Sequence, residues 1–251
     1  MRHAIRLILS FVLSIQGATS VAAEVDPSAD DAARKAVGMM AGPAWEKARY
    51  FSFTFNAERD GKIAASFPQR WDRYTGDYRV SGKDKEGRDF DIIINTKTRA
   101  GRAWLAGVEV ADPKELLERG YRRFINDTYW LLMPLKMLDP GVKRALEGSK
   151  REECGQTYDV VKLSFDSGVG LTSGDQYWAW VNRDSGIVDR WEMFLEGTPA
   201  GEKPSVVRFK KFERSGGLLI STRREIEGKT SAIRLDDLVV TSEVPANAFS
   251  R

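Results

Sequence analysis

The sequence has one histidine and one cysteine in 251 residues. The histidine, His3, sits in an N-terminal segment with the order of an export signal. Met1 to Arg6 is short and basic. Leu7 to Ile15 is apolar apart from Ser10 and Ser14, and small residues follow, ending Val21-Ala22-Ala23. The apolar run is too short to span a bilayer comfortably. Cleavage after Ala23 leaves a chain of residues 24–251 with no histidine at all. Such a chain cannot build a Ser-His-Asp triad, a Cys-His dyad or a histidine-ligated metal site. With Cys154 as the lone thiol it cannot form an internal disulfide, and no cysteine follows the cleavage site to carry a lipid.

Charge of one sign is also scarce. Losing Arg2 and Arg6 with the signal takes the formal charge from +3 to about +1, and the remaining basic residues are interleaved with acids. A near-neutral chain has no electrostatic reason to seek nucleic acid. It has no polybasic block for anionic membrane either. Linkers rich in Pro, Ser or Gly are missing, so residues 24–251 read as one domain.

What is present is mostly strand. Asp26-Pro27 opens an alanine-rich helix whose stripe is Ala29, Ala32, Ala33, Ala36, Val37 and Met40, stopped by Gly42-Pro43. Then the period becomes two: Tyr50 to Phe55 alternates aromatic and polar residues. Further strands are expected at Arg70–Ser81, Arg88–Ile94 and Arg102–Leu105. Asp112-Pro113 should cap a second helix with a stripe of Leu117, Tyr121 and Phe124. The run Asn126–Pro134 follows, the most apolar stretch after the signal. Six more strands are expected, at Tyr158–Phe165, Gln176–Asn182, Ile187–Leu195, Ser205–Phe212, Leu218–Ile226 and Ser231–Thr241, joined by short turns. This is an antiparallel meander, and one of this size tends to curl and offer a concave apolar face. Charges at Arg70, Asp72, Arg73, Asp77 and Arg79 argue against a lipid-facing barrel wall.

Three acidic pairs invite a hydrolase reading: Asp72 with Asp77, Asp84 with Glu86, and Asp236 with Asp237. Regular strand geometry puts the first and third pairs on opposite faces, and the second lies in a charged turn. The glycine-rich run Gly168–Gly174 lacks the lysine and following helix of a phosphate loop. No cofactor, metal site or catalytic residue is expected. The aromatics carry more signal. Trp178 and Trp180 share a face of one strand, and Trp191 and Met193 share a face of the next. Together with a curled sheet they fit an apolar cavity.

The segments Arg70–Val80, Asn126–Pro134 and Tyr177–Asn182, in this order of elements, resemble the LolA/LolB superfamily, in a branch with no settled role. The resemblance covers nearly all of residues 24–251. It implies a mainly β, α+β fold: a curled antiparallel sheet, an unclosed half-barrel covered by helices. It also implies a periplasmic location, a role in outer-membrane biogenesis, and a cavity for the acyl chains of lipid or acylated lipoprotein. No lid-contacting arginine of that family matches a single position here. On this reading the protein binds and does not catalyse. The expected cavity is lined by Phe53, Phe55, Ile92, Ile94, Trp130, Trp178, Trp180 and Trp191, with Tyr129, Leu131, Leu132 and Met133 as lid. Two other readings stay open: an envelope structural or assembly protein with a filled core and a protein partner, and a carboxylate-based hydrolase.

Overall fold

The computed structural model describes residues 26–199 and 201–251. The expected signal at residues 1–23 lies outside them. Helix α1 (Pro27–Met40) starts as its sequence requires: the Asp26 carboxylate accepts from the backbone N–H groups of Ser28 and Ala29. After a short helix α2 (Ala44–Lys47) come six strands. They are β1 (Tyr50–Arg59), β2 (Lys62–Asp72), β3 (Asp77–Lys83), β4 (Asp89–Asn95), β5 (Gly101–Leu105) and β6 (Val108–Glu109). Helix α3 (Lys114–Leu132) and a 3-10 turn (Met133–Lys136) lead to the second series. This is β7 (Val142–Arg151), β8 (Thr157–Phe165), β9 (Gln176–Asn182), β10 (Val188–Phe194), β11 (Ser205–Ser215), β12 (Leu218–Ile226) and β13 (Ser231–Thr241).

All thirteen strands form one antiparallel sheet in the order β6-β5-β4-β3-β2-β1-β13-β12-β11-β10-β9-β8-β7. Strands β6 and β7 are its two unpaired edges, so the sheet is unclosed. The chain leaves one edge at β6 and re-enters at the other edge at β7. The segment that makes this crossing is α3. It touches β3, β4 and β5 on one side and β12 on the other, which it can do only because the sheet curls around it. Helix α1 lies against β7, β8, β9 and β12.

Local chemistry fixes these placements. The Asp26 carboxylate also accepts the Leu146 backbone N–H at 2.8 Å, and Asp30 pairs with Arg144 at 2.5 Å, so α1 is tied to edge strand β7. Two glycines let α3 approach closely. A Cβ at Gly120 would lie 2.8 Å from Cγ2 of Ile92, and one at Gly101 would lie 3.0 Å from Cδ2 of Leu117 on the helix.

Three expectations need correction. Arg70–Ser81 is two strands, because the Asp72 carboxylate accepts from the N–H groups of Tyr74 and Thr75 and turns the chain, and Gly76 takes a φ of 87°. Helix α3 begins at Lys114 with no side-chain cap, so Asp112 does not cap it. The apolar run from Asn126 continues that helix to Leu132 rather than following it. The sequence pattern marks only the end of β2 and neither β6 nor β7; β7 is a polar edge strand without an apolar alternation to announce it.

Candidate functional site

The inner face of the sheet is the helix-covered one, and it is mostly apolar. One row runs Leu105–Phe90–Gly82 from β5 to β3 and Phe67–Phe55–Leu235 from β2 to β13. The next rows contribute Ile92 and Phe53, then Ile94, Tyr78, Trp71 and Phe51. On the other half, Trp191 stacks on Phe209 with ring centres 6.4 Å apart and an interplanar angle of 11°. Tyr177 lies between Trp191 and Tyr129 of α3, at 6.0 and 5.7 Å.

Phe53, Phe55, Ile92, Ile94 and Trp191 therefore share one cluster, with Leu131, Leu132 and Met133 pressed onto it from α3 and the 3-10 turn. Tyr129 and Trp130 pack half-buried at its border. Trp178 and Trp180 do not belong with them. They form a separate cluster on the outer face with Tyr158 and Val160. Arg190 lies 3.8 Å over the Trp180 ring and Lys162 lies 5.5 Å from that of Trp178. A bulge decides this. If the Val181–Val188 register continued, Trp191 would sit opposite Trp178. The shift between Val188 and Arg190 instead sets Trp191 opposite Ala179.

Two polar features interrupt the apolar layer, and both hold α3. In the first, the Tyr78 hydroxyl donates to Gln69 Oε1 at 2.6 Å, and Gln69 Nε2 donates to Asp127 Oδ2 at 2.5 Å. Arg123 and Asn126 also donate to the Asp127 carboxylate, at 2.9 and 2.8 Å. Burial raises Asp127 above the usual carboxylate value, and the donors of Arg123, Asn126 and Gln69 only partly oppose this. Burial likewise pushes the Tyr78 phenol up.

The second feature is Arg224 on β12, 1% exposed with no carboxylate partner among the described residues. Its Nη2 donates to the Leu131 carbonyl of α3 at 3.1 Å and its Nη1 to the Ser221 carbonyl at 2.5 Å, while Nε has no partner. Burial pushes this guanidinium down to about 9, so it is charged at neutral pH and expensive to hold there. Sequence could not single it out among the many arginines. Its signal is structural: a cation in an apolar layer whose hydrogen bonds go to carbonyls of α3 and the sheet.

The acidic pairs are accounted for by neighbours. Asp72 takes a two-pronged contact from Arg49, and Asp84 one from Arg88. Burial acts against the charge of Asp72, but Arg49 and the N–H groups of Tyr74 and Thr75 outweigh it and hold the carboxyl below its usual value. Asp77 accepts from Thr75 and Asn95, away from Asp72. Asp236 and Asp237 do not face opposite ways. A bulge in which Asp237 takes a φ of 54° turns both outward, where Asn56 and Arg234 bond Asp236 and Thr54 bonds Asp237. No pair lies across a cleft.

These shifts have opposite consequences for stability. Asp72, held low, contributes stability above the unfolded carboxylate value of about 3.9, and the contribution is lost as pH falls through its folded value. Asp127, held high, costs stability as pH rises from about 3.9 through its folded value. Wild type should therefore gain stability relative to Asp127→Asn as pH is lowered from neutral toward about 4. Urea unfolding of both proteins at several pH values checks this, and a pH-independent difference would contradict it.

No family model matches the chain, and no curated protein does. Among solved structures, a LolA superfamily protein from Nitrosomonas europaea is similar. It is 13% identical, with 89% of this chain and 97% of that one covered and a TM-score of 0.52. An outer-membrane lipoprotein-sorting protein domain from Vibrio parahaemolyticus aligns over 89% of this chain and 97% of its own, at 9% identity and a TM-score of 0.48. The first of these, together with the unclosed thirteen-stranded sheet curled around α3, shows that the chain has a LolA-like fold.

Proposed function

We propose that this protein is an exported, periplasmic carrier or acceptor of acyl chains, taking a lipid or an acylated lipoprotein between the inner face of its sheet and α3. Residues 1–23 direct export and residues 24–251 form the single working domain. The observation that carries this reading is the inner face itself. It is an aromatic and aliphatic layer running across the sheet, interrupted at Gln69 and Arg224, and the middle of it is covered by one helix. That helix is held at few polar points, the Gln69–Asp127 bond, the Arg224–Leu131 bond and the exposed Arg99–Glu118 ion pair. Lifting α3 exposes Phe53, Phe55, Ile92, Ile94 and Trp191 together. Each methylene of a chain laid on that surface contributes about 0.8 kcal/mol, so two chains bind tightly with no charged anchor.

The protein works by binding. The similarity in fold to a LolA superfamily protein supports this reading without identifying a cargo. Arg224 supports it as well, because a buried cation bonded to a helix carbonyl is better suited to a contact that breaks than to a permanent core.

Native mass spectrometry of the protein purified from an exported preparation, followed by organic extraction, tests it. A stoichiometric acyl-chain ligand is expected. A clean unliganded mass with no shift on adding lipids or lipopeptides would move the reading to a filled-core envelope protein that acts through a protein partner.

A further inference from the structure

A groove of about 1120 Å³ opens at the end of the half-barrel formed by the β1–β2 and β3–β4 hairpins. Its apolar floor includes Phe67, Phe90, Ala65 and Ile63, and Ile63 is 48% exposed there. Its roof is α3. Two arginines one helical turn apart, Arg119 and Arg123, hang from that roof over the two phenylalanines. The Arg123 guanidinium lies 3.4 Å from the Phe67 ring centre, and that of Arg119 lies 4.5 Å from that of Phe90. The rings themselves are 6.2 Å apart. They meet across Gly82, where a Cβ would come within 2.6 Å of the Phe67 ring.

Stacking on a ring fixes a guanidinium in place without neutralising it and leaves its N–H edges free. The distribution of partners makes this consequential. The acids around the groove are engaged: Asp84 and Glu86 with Arg88, and Asp89 with Lys83. Among the described residues Arg119 has no ion pair and no hydrogen bond. Arg123 gives one nitrogen to Asp127, and its Nε is buried without a partner. An apolar trough thus ends under an unpaired cation, Arg119, and beside it Arg123, which shares its charge with Asp127.

We infer that this groove is the head-group end of the ligand site, and that the ligand is an anionic phospholipid. Its phosphate bridges Arg119 and Arg123 while its chains run over Phe67 and Phe90 toward the inner face. The inference rests on the acyl-carrier reading and adds selectivity to it. Zwitterionic lipid has the same chains but brings a cation to a site already holding two.

The test compares short-chain phosphatidylglycerol and phosphatidylcholine, both below their micelle concentrations, by calorimetry on the exported protein and on Arg119→Gln and Arg119→Lys. The expected result is about tenfold tighter binding of phosphatidylglycerol, since both lipids offer the phosphate and only phosphatidylcholine brings a cation against the arginines. Arg119→Gln should weaken both lipids, whose phosphate it would no longer hold, and weaken phosphatidylglycerol more, so that the preference falls; the melting temperature should move little, since Arg119 makes no ion pair and only stacks on Phe90. Arg119→Lys should keep part of the preference, and added salt should weaken it. Equal binding of the two lipids, or a preference untouched by Arg119→Gln, would overturn the inference and leave the carrier reading standing. Displacement of phosphatidylglycerol by millimolar inorganic phosphate would also overturn it, as a site for a free anion. Binding of neither lipid would overturn the inference and leave the carrier reading to be decided by the lipopeptide titration.

Discussion

Replacing Trp191 by alanine should cost about 3–5 kcal/mol of folding stability, the range for emptying a large aromatic from a packed interior. Trp191 is fully buried between Phe209 and Tyr177 in the main cluster, with no backbone freedom at mid-strand to close the void. The loss is a large part of the roughly 5–15 kcal/mol that holds an ordinary domain folded. The same substitution at Trp178 should cost about 1 kcal/mol, because that ring is half-exposed on the outer face and covered mainly by Lys162. The ligand experiment separates the two further. Trp178→Ala should leave acyl-chain affinity unchanged. Trp191→Ala, studied at a temperature where it is still folded, should weaken it. Equal effects at the two positions would mean that the faces are assigned wrongly.

Gly120→Val should loosen α3 alone. A helix gains some tenths of a kcal/mol when valine replaces glycine, so propensity favours the change. Packing opposes it with more force. The first added carbon already falls 2.8 Å from Ile92 Cγ2, and Ile92 is fully buried against β3 and β5 with nowhere to retreat. Overpacking of this kind costs about 1–3 kcal/mol, which outweighs the propensity term. The helix should therefore ride higher on β4, with faster amide exchange along α3 and little change in β1 and β13. Adding Ile92→Ala, which removes the obstructing methyls, should restore the slow exchange. Uniform loss of protection across the sheet would show that Gly120 serves the whole fold and not the seating of one helix.

Much of this architecture is legible in residue order. Period-two patterning marks β1, β4 and β8 to β13 because each has one wet and one dry face, and glycine-bearing turns separate them. The pairs Phe53 with Phe55 and Ile92 with Ile94 fall on the inner face for the same reason. What was not legible depends on single extra residues. The shift at Asp189 moves Trp191 from a place opposite Trp178 to one opposite Ala179, and the bulge at Asp237 turns two adjacent acids the same way. Alternation is counted within a strand, so one inserted residue reverses every inference drawn across it. The split of Arg70–Ser81 has a different cause. Asp72 bonds the N–H groups of its own turn, a local competition that polar composition does not announce. Arg119 and Arg123 look like ordinary helix-surface cations until the fold sets them over Phe90 and Phe67.

The most direct test of the central claim is to fasten α3 to the sheet. A Cβ at Gly120 lies 3.6 Å from the Cβ of Ile92, within the separation of about 3.5–4.5 Å that a disulfide spans. The triple variant Gly120→Cys, Ile92→Cys, Cys154→Ser can therefore be oxidised to lock the helix down and reduced to release it, with acyl-chain binding measured in both states of one protein. Loss of binding on oxidation and recovery on reduction is the expected result. Undiminished binding by the locked protein would contradict the account, because the chains would then have a place other than beneath α3.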